Sequence, residues 1–190
     1  MPRILAGRAK GRRLKAPRGA RTRPTASRVR QVLFDILAPQ LPGCRFLDAL
    51  AGSGGVGLEA LSRGASQVVF VDRSVEALAA VRRNVTALAA EAEVRIAHSE
   101  TLKYLRVLDK QKTVFDFIYL DPPYESDLYE PLLSCIAASS LLDAGGSVVA
   151  EHFHKRHLPE TIGHLTRTRE VKVGEHRLSF YRVRASRRPE

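Results

Sequence analysis

The stretch Asp48-Ala49-Leu50-Ala51-Gly52-Ser53-Gly54-Gly55-Val56-Gly57 decides how this chain folds. It joins an extended apolar run at residues 45–50 to an amphipathic segment at 55–63, which Gly64 stops from the position just past a helix. A strand that passes through a glycine-rich turn into a helix opens a β–α unit, and the alternation continues downstream. Residues 67–72 read as a second strand, 74–90 as a long helix capped by Ser74, and 94–98 as a third strand. A short helix around 102–107, a fourth strand at 114–120, a helix at 128–139 and a fifth strand at 147–153 follow. Residues 168–173 and 177–184 flank Gly174-Glu175-His176 and read as an antiparallel hairpin. Such alternation demands a mostly parallel sheet covered on both faces. The expected fold is therefore α/β: a Rossmann-like, doubly wound, seven-stranded sheet with a C-terminal antiparallel hairpin.

Upstream, residues 3–7 and 12–16 are short extended candidates around Gly7-Arg8-Ala9-Lys10-Gly11, and they predict a small basic hairpin. Thr25 is the expected cap of the next helix. Its apolar face is read as Val29, Val32, Leu33, Ile36 and Leu37, with Arg28, Arg30 and Gln31 on the outer face. Residues 1–34 hold eleven Lys and Arg and no acid, within a chain of formal net charge +11. A one-sign block beside a folded domain is the footprint of a phosphate-bearing partner. The expected division is a basic extension at 1–24 and one domain at 25–190.

With 44% hydrophobic residues among 190, the chain can bury one sizeable core. No apolar run reaches the roughly 18 residues of a membrane helix, and no apolar segment behind the first arginines suggests a secretory signal. A cytoplasmic protein is expected, with no membrane partner. Cys44 and Cys135 read as free thiols rather than a disulfide or zinc pair. His152, His154 and His157 lack companion thiols or carboxylates, so no metal site is expected; they read as facing the surface or the phosphate-bearing partner.

In an open parallel sheet, ligands bind beyond the carboxyl ends of the strands. Asp48 and the glycines of 52–57 fall at such an end, and Asp72, twenty positions after Gly52, ends the second strand, where a carboxylate can accept both hydroxyls of a ribose. Gly52-x-Gly54-x-x-Gly57 also satisfies the dinucleotide fingerprint, so a nicotinamide enzyme is the competing reading. Asp48 weighs against it. A pyrophosphate would be repelled there, whereas the cationic amino group of S-adenosylmethionine would be held. The chain also looks short for a dinucleotide domain plus a separate catalytic domain.

Asp121-Pro122-Pro123-Tyr124 ends the run 114–120. Two prolines fix φ and remove two donors, leaving an acceptor edge made of the Asp121 carboxylate and the carbonyls near Pro122. An exocyclic amine of a nucleobase is a poor nucleophile, because its lone pair is delocalised into the ring. Accepting both of its N–H bonds turns that lone pair toward a methyl donor, and Tyr124 offers a face on which a flipped base can stack. Methyl transfer from S-adenosylmethionine to such an amine is the chemistry that both segments support together.

At these residues the chain resembles the amino-group methyltransferases with an (Asn/Asp)-Pro-Pro-(Tyr/Phe) motif, class I enzymes dependent on S-adenosylmethionine. It is similar more narrowly to the bacterial 16S ribosomal RNA guanine-N2 methyltransferases of the RsmD type. The resemblance rests on Arg23-Pro24-Thr25, Arg28-Val29-Arg30, Leu33-Phe34, Ala51-Gly52-Ser53-Gly54, Gly57-x-Glu59-Ala60-Leu61-Ser62-Arg63-Gly64-Ala65, Asn84 and residues 120–124. It implies cofactor contacts from Asp48, Ala51, Gly52, Ser53, Gly54, Asp72, Arg73, Glu100 and Asp121, and catalysis at Asp121, Pro122 and Tyr124. It also implies 16S rRNA, in an assembled or assembling small subunit, as the partner of a monomeric enzyme. Arg12, Arg13, Arg18, Arg21, Arg23 and Arg28 are the expected RNA contacts. The chain departs from the family pattern at Ala49-Leu50, where Leu-Phe is usual, and at Ser99-Glu100, where Gly-Asp is usual. Adenine-N6 methylation of DNA suits the tetrapeptide equally, and an RNA-binding assembly factor without catalysis is the alternative from another class.

Overall fold

The computed structural model describes residues 2–15, 24–123 and 126–184. Arg18, Arg21, Arg23 and Tyr124 therefore lie outside the described residues. The elements in chain order are α1 (Pro24–Leu37), β1 (Arg45–Asp48), α2 (Gly55–Ser62), β2 (Gln67–Asp72), α3 (Val75–Ala87), β3 (Val94–His98), α4 (Thr101–Lys110), β4 (Phe115–Leu120), α5 (Tyr129–Ala137), β5 (Leu142–Phe153), β6 (Thr161–Ile162), β7 (Leu165–Val173) and β8 (His176–Val183). They build one sheet of eight strands in the order β3-β2-β1-β4-β5-β8-β7-β6. The first five pair in parallel, and β8, β7 and β6 add antiparallel strands at one edge. The expected seven strands become eight, because two-residue β6 extends the edge. It is too short to leave a period in the sequence.

Strand periodicity divides the core into two layers. Phe46, Phe70 and Phe117 pack with Leu33, Phe34 and Leu58 on one face, while Leu47, Ile118 and Val148 pack with Leu105, Leu132 and Leu133 on the other. Neighbouring residues of each strand thus serve opposite layers, as a doubly covered sheet requires. Ser74 caps α3 as expected, its hydroxyl accepting from Ala77 N at 3.1 Å. At α1 the expected cap is displaced. The helix already begins at Pro24, so Thr25 lies within its first turn, and proline suits that first position. Cys44 and Cys135 are free thiols, and burial pushes the Cys44 thiol up to about 12. Among the described residues, no helix is long and apolar enough to cross a membrane.

The basic extension is stapled to the core. Arg3 and Arg13 form an antiparallel bridge, Ile4 N donates to Arg12 O at 3.0 Å, and Ile4 and Leu14 are buried. Glu59 of α2, fully buried, accepts from Leu5 N (2.7 Å), Ala6 N (2.9 Å) and Arg63 Nε (2.8 Å). Asn84 of α3 accepts from Lys15 N at 2.8 Å and donates to Lys15 O at 2.9 Å. Glu59→Ala should therefore cost about 3–5 kcal/mol, because it strands buried Arg30, half-buried Arg63 and two backbone donors at once. Urea unfolding checks this; a change below 1 kcal/mol (roughly the worth of one exposed ion pair) would show that Glu59 is not the staple.

Candidate active site

The sheet order reverses between β1 and β4, which run side by side with Asp48 opposite Tyr119. A crevice of about 1000 Å³ opens beyond the carboxyl ends of these strands, where a doubly wound sheet binds its ligand. Its walls include Asp48, Ala51, Gly52, Ser53, Asp72, Arg73, Glu100, Asp121 and Pro122, so residues predicted from two distant segments do meet. Gly54 is not among the residues that line it; it caps α2 at φ +78°, a conformation that few other residues adopt. At Gly57 the reason is space: a Cβ would sit 2.3 Å from the Phe70 ring.

Asp48 is buried, and its Oδ2 accepts from Gly57 N at 2.9 Å. Loss of water raises its carboxyl to about 7, partly opposed by the Gly57 N–H, with the charge of Asp72 adding to the rise. Asp72 accepts from Gly52 N at 2.7 Å through Oδ2 and from Ser74 N at 2.8 Å through Oδ1. Each oxygen keeps acceptor capacity, and Asp72 lines the crevice, so its carboxylate can accept two ribose hydroxyls. Glu100 stands exposed at the rim, paired with Lys103 at 3.0 Å. Leu50 lines the crevice where the family pattern has an aromatic.

Asp121 follows β4 directly. Desolvation among the crevice walls, then the charges of Glu151 and Asp48, hold its carboxyl above the usual carboxylate range. Its side chain is exposed on the open side of the crevice, where a ligand can reach it. Pro122 is buried, and its carbonyl accepts a long bond, 3.3 Å, from Tyr129 Oη. That hydroxyl donates more closely to Glu151 O, at 2.9 Å, tying the turn after β4 to the end of β5.

Two wall residues escaped the sequence reading. Arg30, placed there on the outer face of its helix, is in fact buried and lines the crevice. Glu151 also lines it, held by the Tyr119 hydroxyl and by His176 Nδ1 at 2.8 Å. An acid ending the apolar run Val148-Val149-Ala150 was the available signal. His152 corrects a third expectation. It is fully buried rather than at the surface, because β8 covers β5, and its Nε2 lies 2.9 Å from Ser179 Oγ. His154 spans to Glu175 O at 3.0 Å. Arg12, Arg13 and Arg28 are exposed, as a nucleic-acid contact requires.

Comparison with known proteins agrees with this geometry. YlbH of Bacillus subtilis (strain 168), whose name assigns it provisionally to the rRNA methyltransferases, is 38% identical over 182 residues, covering 96% of this chain and 99% of its own. Ribosomal RNA small subunit methyltransferase D of Haemophilus influenzae is 32% identical over 150 residues, 78% of this chain and 77% of its own. A solved Escherichia coli structure, yhhF, provisionally named a methyltransferase, superposes with a TM-score of 0.84 at 30% identity, covering 97% of this chain and 98% of its own. The family model described as "Conserved hypothetical protein 95" matches residues 2–182, and the chain belongs to that family, the RsmD-type rRNA methyltransferases that use S-adenosylmethionine.

Proposed function

We propose that this protein transfers a methyl group from S-adenosylmethionine to the exocyclic N2 of a guanine in 16S ribosomal RNA. It does so as a monomer in the cytoplasm, on the assembled or assembling small subunit. The observation that carries the reading is the meeting of Asp48 and Asp121 in one crevice at the β1–β4 switch point. Asp48 is assigned the cofactor's ammonium and Asp72 its ribose hydroxyls. Ala51, Gly52, Ser53 and Gly54 form the backbone cradle, and Arg73 and Glu100 take the adenine side. The bound cofactor supplies an electrophilic methyl group on a sulfonium, so the protein's task is alignment. Asp121 and the Pro122 carbonyl accept the N–H bonds of the target amine, and Tyr124 stacks on the flipped base. Residues 1–24 grip phosphates through Arg12, Arg13, Arg18, Arg21 and Arg23, with Arg28 of α1 beside them.

Incubating the protein with labelled S-adenosylmethionine and small subunits stripped of the modification, then digesting the RNA to nucleosides, tests the reading. N2-methylguanosine is the expected product. N6-methyladenosine would transfer the reading to adenine, and no product despite tight S-adenosylhomocysteine binding would favour an assembly factor.

The Asp48 assignment carries a pH signature. In the free protein its carboxyl titrates near 7, and an ammonium partner draws that value down. Binding then releases a proton below pH 7, so S-adenosylhomocysteine affinity should rise by about tenfold per pH unit up to 7 and flatten above it. Calorimetry across that range measures the slope, and Asp48→Asn should flatten it while weakening binding at high pH. An identical slope in Asp48→Asn would take the titration away from Asp48 and remove it from the ammonium.

A further inference from the structure

We propose that Arg30 is the cofactor's carboxylate anchor, pairing with the α-carboxylate of its methionine end. This rests on S-adenosylmethionine as the cofactor. Arg30 is 8% exposed, yet it lies on the crevice wall rather than in the sealed core. Its Nη2 donates to Arg3 O at 2.6 Å. Its Nε makes no hydrogen bond, reaching Glu59 Oε2 only as an ion pair at 3.7 Å. Its Nη1 lies against the first residue of α2, so close that a Cβ on Gly55 would meet it at 3.0 Å.

Charge balance says what this guanidinium awaits. Glu59 is already taken by Arg63 Nε at 2.8 Å and by the two backbone donors of the extension. Exposed Asp35 reaches Arg63 only at 3.9 Å. Buried Arg30 and half-buried Arg63 thus share one buried carboxylate, and part of the Arg30 charge is left for a ligand. Buried guanidinium groups are costly unless paired.

The crevice wall is otherwise acidic, with Asp48, Asp72, Glu100, Asp121 and Glu151, and its other arginine, Arg73, is exposed. An amino acid's carboxylate would be repelled almost everywhere on this wall except at Arg30. Position completes the argument. Asp48 accepts from Gly57 N, and Arg30 Nη1 lies where a Cβ on Gly55 would meet it, so an acid and a base approach the first turn of α2. The ammonium and carboxylate of a methionine end share one carbon, so their partners must lie this close together. The N-terminus of α2 adds its own preference for the anion.

Calorimetric titration with two probes tests this: S-adenosylhomocysteine, and its decarboxylated analogue, which keeps the ammonium and lacks the carboxylate. Wild-type protein should bind S-adenosylhomocysteine about 10- to 100-fold more tightly than the analogue, the range of a charge-assisted pair. Arg30→Met should erase most of that preference by weakening S-adenosylhomocysteine alone, and Arg30→Lys should retain part of it. Equal weakening of both ligands in Arg30→Met would mean that Arg30 only braces the fold, and would overturn the proposal. So would a preference that survives in Arg30→Met. Should that variant fail to fold, equal affinity of the wild-type protein for the two probes is refutation enough. Wild-type protein that binds neither probe would instead remove the cofactor reading beneath it.

Discussion

Asp121→Ala should lower the single-turnover rate of methyl transfer by about 10²–10³-fold while S-adenosylhomocysteine affinity stays within a few-fold of wild type, in the range lost with one well-placed polar group. The carboxylate stands after β4, across the crevice from the glycine loop, so the cofactor is held from β1 and β2 while the amine is met from β4. What the reaction needs there is an acceptor. The sulfonium is electrophilic enough that a strong base is not required, and the amine's proton leaves after the methyl group has moved. Asp121→Asn keeps an acceptor oxygen at the same reach and should therefore lose much less than Asp121→Ala, about tenfold or less. Rapid-quench measurements on both variants distinguish acceptor from base. If Asn and Ala are equally inactive, the carboxylate acts by taking the proton. If Asp121→Ala loses cofactor binding and keeps the chemical rate, the division of labour along the crevice is wrong.

Neutralising the basic extension should have the other large effect, on RNA rather than on cofactor. Extruding a base from its stack costs a few kcal/mol, which interactions elsewhere on the RNA must offset. Arg12, Arg13 and Arg28 are exposed on the hairpin and on α1, and the hairpin is joined to the crevice wall by the bond from Arg30 Nη2 to Arg3 O. Replacing all three with Ala should weaken RNA binding by about tenfold or more at physiological salt. It should also flatten the plot of log affinity against log salt by about 0.7–0.9 for each phosphate no longer neutralised. Deleting residues 1–20 is a blunter experiment than the sequence suggests, because it also orphans Glu59 and Asn84, which hold the hairpin's backbone. Point changes spare those bonds. Unchanged RNA affinity and salt slope in the triple variant would reduce the extension to a solvated surface.

The fold was legible because the inner parallel strands bury both faces. That burial leaves apolar runs such as Val68-Val69-Phe70-Val71, and the connections between them carry caps and glycines with definite stereochemistry. The crevice was legible for a related reason: Asp48, Asp72 and Asp121 each terminate such a run, where a side chain leaves the sheet and meets a ligand. Arg30 was not. The apolar face of α1 was read as Val29, Val32, Leu33, Ile36 and Leu37; Val29, Leu33 and Leu37 are indeed buried, but Val32 and Ile36 are only half-buried, and Phe34 is buried in their place, a turn of the face that carries Arg30 inward with it. A charged residue four positions before a buried phenylalanine was the clue, and charge alone argued it outward. Glu151 and His176 were hidden differently. They lie twenty-five positions apart and meet only because β8 folds back antiparallel on β5. No local period encodes that pairing.

The most direct test of the central claim is mass mapping of 16S ribosomal RNA from cells with and without the gene for this protein. The proposed function predicts that one N2-methylguanosine disappears, and that it returns with a wild-type copy but not with Asp121→Ala. An unchanged set of methylguanosines, or loss of a methyladenine instead, would contradict it.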